Sequence, residues 1–200
     1  MRCEALDKVF FAEIRDLNVA FLSLVADPRA GDVGLEMLGL HPQSVQELAA
    51  LTAVELRRLA ALPVPLAGFR RLPLSTQVAE QPPPANLDPA WHLAANSYAA
   101  GLLTYLWQIA RHQPVAASLC VGADQARVQR LAQLGFDTIQ NCAPLAASQL
   151  GVRRAFSPNL LPLLLRAARM KADGWRLVGL DLIPLGLAGL RPPRLQRHRT

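Results

Sequence analysis

Lysine is nearly missing from this 200-residue chain: only Lys8 and Lys171 stand against 19 arginines. Cysteine is scarce as well. Cys3, Cys120 and Cys142 are an odd, irregularly spaced set, which excludes a disulfide framework, and no CxxC or Cys/His cluster has zinc-finger spacing. His41, His92, His112 and His198 are scattered, with no pair at metal-ligand spacing. The N-terminal MRCEALDKVFFAEIRD carries a four-residue apolar run before charge returns, too short for a secretory leader. No later stretch reads as an uninterrupted membrane span of about 20 residues. A GxSxG elbow, a P-loop and a GxGxxG turn are all missing. These absences argue against an enzyme, a cofactor, a small-molecule substrate and a membrane partner. They lead us to expect a reducing, cytoplasmic compartment.

What is present is apolar and helical. Hydrophobic residues make up 52% and charged residues 18%, too apolar for a disordered chain. Aromatics are only 6%, and the dominant Leu and Ala both favour helix. Charge is split along the chain. Residues 1–100 hold 8 basic and 11 acidic residues, and residues 101–200 hold 13 basic and 4 acidic, a local net of +9. An arginine-rich half suits phosphate or carboxylate, which the planar guanidinium binds as a fork.

A repeat lies inside the chain. Shifting by 83 residues sets 38–71 on 121–154 without a gap, with 11 identities in 34 positions. Among them are Gly39/Gly122, Val45/Val128, Leu48/Leu131, Leu51/Leu134, Ala60/Ala143, Gly68/Gly151, Arg70/Arg153 and Arg71/Arg154. Upstream, a shift of 84 matches Val19-Ala-Phe-Leu22 with Leu103-Thr-Tyr-Leu106. Between the copies, LSTQVAEQPPPANLDPA (74–90) holds three consecutive prolines, a stiff spacer that excludes helix interior.

Each copy reads as one long helix followed by short ones. In copy one, apolar residues recur at steps of three and four from Ala5 to Ala26, and Asp27-Pro28 ends the run. A short helix over about 32–38 closes at Gly39, and another begins at Pro42. Thr52-Ala-Val-Glu55 is a capping box that starts a helix to about Leu62, where Pro63-Val-Pro65 stops it. In copy two, Asp88-Pro89 opens a long helix to about His112, with Trp91, Tyr98 and Trp107 as core. Pro114 starts a short helix, and Asp124 and Asp137 are the expected caps of the next two. Cys120 and Cys142 fall at apolar positions and read as small buried hydrophobes. A Leu-rich helix is expected over about 158–171, with a short strand over 176–183 as an option.

The predicted fold is therefore all-α: two tandem helical modules, each a long helix plus short helices laid out like a helix-turn-helix. The expected boundaries are a first module at 1–73, a Pro-rich linker at 74–87 and a second module at 88–156. An apolar extension follows at 157–190, and a basic disordered tail at 191–200.

Residues 17–70 carry a resemblance. Leu17-Asn18, Phe21-Leu22, Leu38-Gly-Leu40, Leu48-Ala-Ala-Leu-Thr52, Leu59-Ala60 and Phe69-Arg70 together resemble the D subunit of the flagellar master transcriptional activator, the FlhD family. The resemblance implies an all-α, dimeric bacterial transcription regulator that binds DNA in a complex with a C subunit. The chain departs from that pattern. It carries a second, divergent module, which can replace a homodimer by an internal pseudo-dimer. Ala67 or Gly68 stands where the family commonly has cysteine, so an intersubunit disulfide is not expected there. The C subunit's zinc-binding cysteines are absent.

The candidate DNA contacts are Arg57 and Arg58 on the second short helix, Arg70-Arg71 and Arg153-Arg154 at the ends of the copies, and Arg127 and Arg130 in copy two. Arg191, Arg194, Arg197 and Arg199 could add phosphate contacts. The expected partners are duplex DNA and a regulator protein or a second copy. A helical adaptor without DNA binding is the alternative, and an apolar, basic C-terminal segment lying on a membrane surface is a third. One continuous arginine face would favour DNA; scattered arginines would favour the adaptor.

Overall fold

The structure is a computed structural model that describes residues 2–74, 84–121, 125–152, 160–170 and 175. Two long helices organise it. Helix α1 (Arg2–Ala26) stops where Asp27 takes extended geometry, and the Asp27 carboxylate accepts the Arg29 amide to begin a 3₁₀ turn at Pro28–Ala30. Helix α2 (Gly31–Met37) ends in a Schellman motif. Gly39, at φ +70°, donates to Glu36 O, and Leu40 donates to Leu35 O. Helix α3 (Pro42–Ala49) and helix α4 (Ala53–Ala60) follow, the latter behind the expected capping box, with Thr52 N and Oγ1 both donating to Glu55 Oε2 at 2.7 and 2.8 Å.

The second set opens with α5 (Pro89–His112), capped by Asp88, whose carboxylate accepts from the amides of Ala90 and Trp91. Then come α6 (Pro114–Val121), α7 (Gln125–Gln133) and α8 (Phe136–Gln149). Asp137 is not the cap of α8: Gly135 holds that position, with no side-chain hydrogen bond, and Asp137 lies in the first turn. The expected cap Asp124 and the optional strand at 176–183 lie outside the described residues. Helix α9 (Leu160–Ala168) packs on α3 and α4.

The described chain is mostly helix, but it also holds one strand pair that the all-α reading did not include. Strand β1 (Ala67–Phe69) pairs antiparallel with β2 (Leu150–Val152), in the register Ala67↔Val152, Gly68↔Gly151 and Phe69↔Leu150. Three residues per strand lie below the length at which periodicity gives a signal. The pair is held in place by neighbours: Val152 N donates to Leu38 O at 2.7 Å, and Arg70 N to Gln149 O at 2.8 Å. A Cβ on Gly151 would lie 3.1 Å from Leu38 O, so glycine permits this close approach.

Helices α1 and α5 run antiparallel. Phe10 meets Tyr105, Phe21 meets Tyr98 at 5.8 Å, and Trp91 Nε1 donates to Leu24 O at 3.0 Å. The buried core is one continuous cluster, from Ile14 and Phe21 through Trp91, Leu102 and Leu106 to Ile139, Cys142 and Leu164. Starts of α3 and α7, of α4 and α8, and of β1 and β2 each lie 83 residues apart, the shift of the sequence repeat. That register places Gly68 opposite Gly151, its own counterpart in the repeat. No helix among the described residues is long and apolar enough to cross a membrane.

Candidate functional site

The arginines singled out from the sequence serve different tasks. On α4, Arg57 is exposed, while the Arg58 guanidinium turns to α9 and donates to Ala168 O at 2.8 Å and Met170 O at 2.6 Å. Carbonyls at a helix C-terminus lack intrahelical donors, and a cation there also meets the negative end of the dipole. Arg169 returns a bond from the same turn, donating to Glu47 O at 3.2 Å. Arg70 is also engaged: its guanidinium donates to Met37 O at 2.7 Å and, at 3.4 Å, to Ser148 O and Leu150 O. It thus links the end of α2 to the strand pair. Arg71 is exposed beside it, and Arg127 and Arg130 are exposed on α7, a different helix of the other copy. Arg153 and Arg154 lie outside the described residues, as do the tail arginines.

A feature that sequence reasoning missed is a cleft in the first copy. It has a volume of about 660 Å³ and lies between the second half of α1 and helices α2, α3 and α4. Its floor is apolar: Val19 and Leu22 from α1, Leu35 from α2, Val45 and Leu48 from α3, and Leu56 from α4. Val19 is 46% exposed. The polar groups sit at the edge: Ser23, Asp27, Asp32 and Arg57. Arg29 holds the Asp27 carboxyl below its ordinary range through bonds to both oxygens, the shorter at 2.6 Å.

The corresponding face of the second copy's long helix is covered. The upstream shift of 84 sets Val19, Leu22, Ser23 and Ala26 against Leu103, Leu106, Trp107 and Ala110, and all four of the latter are buried. Helices α6, α7 and α8 all pack directly on α5. The Trp107 indole closes this side: its Nε1 donates to Leu134 O at 2.9 Å, its ring lies 5.9 Å from that of Phe136, and the Arg111 guanidinium stands 5.0 Å above it. The sequence signal was available as Ser23 against Trp107 in the repeat alignment, a small polar residue facing the largest aromatic.

The remaining perturbed groups are structural. Burial pushes the Cys142 thiol and the Tyr98 and Tyr105 hydroxyls upward, and Thr52 holds the Glu55 carboxyl below its usual range. Cys120 and Cys142 are both buried. No group of His, Cys, Asp and Glu among the described residues is placed to hold a metal ion. Comparison with protein-family models, curated proteins and solved structures finds no match.

Proposed function

We propose that this chain is a fused, two-copy counterpart of the flagellar activator's D subunit, acting in transcription regulation as one component of a DNA-bound complex. The observation that carries the reading is the symmetric strand pair. Gly68 faces Gly151 and the neighbours exchange places around them, as expected when two equivalent modules meet across a two-fold axis. The antiparallel pairing of α1 with α5 supports the same relation. On this reading residues 1–73 and 88–156 are the two modules, and their association within one chain takes the place of a homodimer. Arg57, Arg71, Arg127 and Arg130 supply phosphate attraction, joined by Arg153 and Arg154, while Arg58 and Arg70 hold the fold. Base recognition then comes from the whole complex, since one short helix per module is a small reading surface.

The test is fluorescence anisotropy of the purified chain on a mixed-sequence duplex over a range of salt concentrations. Binding that falls steeply with salt supports the reading, and R71A/R127A/R130A should flatten that dependence. No binding at low salt removes autonomous DNA contact. The helical adaptor is then the better reading, and one observation already favours it: Arg58 and Arg70 are committed to backbone carbonyls.

A further inference from the structure

Identical residues meet different fates in the two copies. Val45 and Leu48 on α3 are matched in the repeat by Val128 and Leu131 on α7. Val128 and Leu131 are fully buried, and α7 packs directly on the long helix α5. Val45 is only half-buried, and both it and Leu48 line the open cleft. The floor repeats the contrast. Val19 is exposed and Leu22 half-buried on α1, while their counterparts Leu103 and Leu106 on α5 are buried. In the first copy α3 packs on α9 instead, a helix that follows both copies and lies outside the repeat. The end of α9 is tied in place. Arg169 donates to Glu47 O on α3, and Arg58 on α4 donates to Ala168 O and Met170 O. Near its start, Leu161 shares a small pocket with Leu40 and Leu48. Helix α3 therefore has the cleft on one side and α9 on another. The chain on either side of α2 can act as a hinge: Gly31 and Gly39, at φ +53° and +70°, are the positive-φ residues among those described.

We propose that α9 is a strap that holds α3 away from α1, and that release of the strap lets the first copy close, with α3 settling on α1 as α7 lies on α5. The cover of the cleft is then the first copy's own Val45 and Leu48. Closure takes apolar surface of Val19, Leu22 and Val45 out of water. In the strapped state that gain is offset by the bonds of Arg58 and Arg169 and by the burial of Leu164 and Leu165 on α9. The inference rests on the two-copy reading, because the second copy is the closed form; it does not rest on DNA binding.

The test reads alkylation of V19C by iodoacetamide in the full chain carrying C3S, followed by mass spectrometry; Cys120 and Cys142 are buried. The strapped chain should react readily at this position. R58A/R169A should slow the reaction about threefold or more, because the thiol passes beneath α3. R169A alone, which keeps the bonds from α4 to α9, should slow it by less. V45D added to R58A/R169A should restore the original rate, since its carboxylate opposes closure on an apolar floor. Circular dichroism checks that each variant keeps its helix. A rate unchanged or raised in both strap variants overturns the proposal, and so does a slowing that V45D leaves in place. L103C in the otherwise unaltered chain tests the two-copy reading separately. If L103C is protected and V19C does not respond, the strap fails and the correspondence of the copies stands. If L103C reacts readily, the second copy is no closed form, and both fall.

Discussion

Asn18 is the one buried polar side chain in the described core, fully enclosed, and its replacement offers the sharpest test of how the first copy is held together. Its amide nitrogen donates to Ala60 O, Leu62 O and Val64 O at 3.2, 3.4 and 3.1 Å, and its oxygen accepts from Leu66 N at 2.7 Å. The reason lies in Pro63 and Pro65. They end α4 and remove two amide donors, leaving carbonyls in the core that helix would otherwise satisfy. In the second copy the matching stretch stays helical to Gln149 despite Pro144, and the residue set against Asn18 is the buried Leu102. N18L keeps the volume and removes all four bonds. It takes the Asn18 partner from the Leu66 amide and from three carbonyls, at about 1–3 kcal/mol for each group left unpaired, so we expect a loss of about 4 kcal/mol or more. The reciprocal L102N buries an amide at a fully enclosed apolar position and should cost about 2–4 kcal/mol. Urea unfolding followed by circular dichroism measures both, provided the slopes stay equal to wild type. N18L within about 1 kcal/mol of wild type would show that the 60–66 segment finds other donors, and the reasoning would fail.

Three further perturbations follow from local geometry. In G34A the new Cβ would stand 3.1–3.2 Å from three ring carbons of the buried Trp91, so thermal unfolding should show a loss of about 1–3 kcal/mol and altered tryptophan fluorescence. T52A removes the α4 cap and should cost about 1 kcal/mol in urea unfolding. Because Glu55 is held below its ordinary value in the folded chain, its contribution is complete above the unfolded carboxylate range and is lost as pH falls through the folded value; a pH series should show that loss in wild type and a smaller one in T52A. R58A frees two carbonyls at the end of α9 and should cost about 1–2 kcal/mol, whereas R57A, exposed on the same helix, should stay within about 0.5 kcal/mol by the same assay.

Chain punctuation made most of the helices legible. Asp27-Pro28, Gly39, Thr52-Glu55 and Asp88-Pro89 act through backbone geometry within a few residues, and each marks a helix end or start where expected. Asp137 failed as a cap because Gly135 supplies the extended backbone the cap position needs, without a side chain. The strand pair was not legible: three residues give no periodicity, and the pairing joins positions 83 residues apart. Its trace was the repeated Gly-x-Arg-Arg, which looked like a charged corner and turned out to contain a glycine required for close approach at Gly151. Arg58 and Arg70 looked like cations free for phosphate; Arg70 is exposed, but both guanidiniums donate to backbone carbonyls. A guanidinium's use depends on which carbonyls tertiary structure brings within reach, and α9 and β2 are far away in sequence.

In a homodimer every substitution appears twice, so a residue that closes one groove closes its twin as well. In a fused pair the copies change separately. On the two-copy reading three positions bear the mark of that freedom: Asn18 against Leu102, Ser23 against Trp107, and Asp27 against Arg111. In each, the second copy holds the residue that seals its own core or surface, a buried leucine, a buried indole and the cation over it. The first copy holds an amide that braces a proline-broken loop, and a small polar residue and a carboxylate at the edge of an open cleft. On the two-copy reading this divides the labour. The second copy, closed on itself, acts as the half against which α1 packs, and the first remains the half with a surface to offer. On that reading the fused pair is not symmetric at these positions: an open apolar cleft on one long helix stands against a sealed surface on the other.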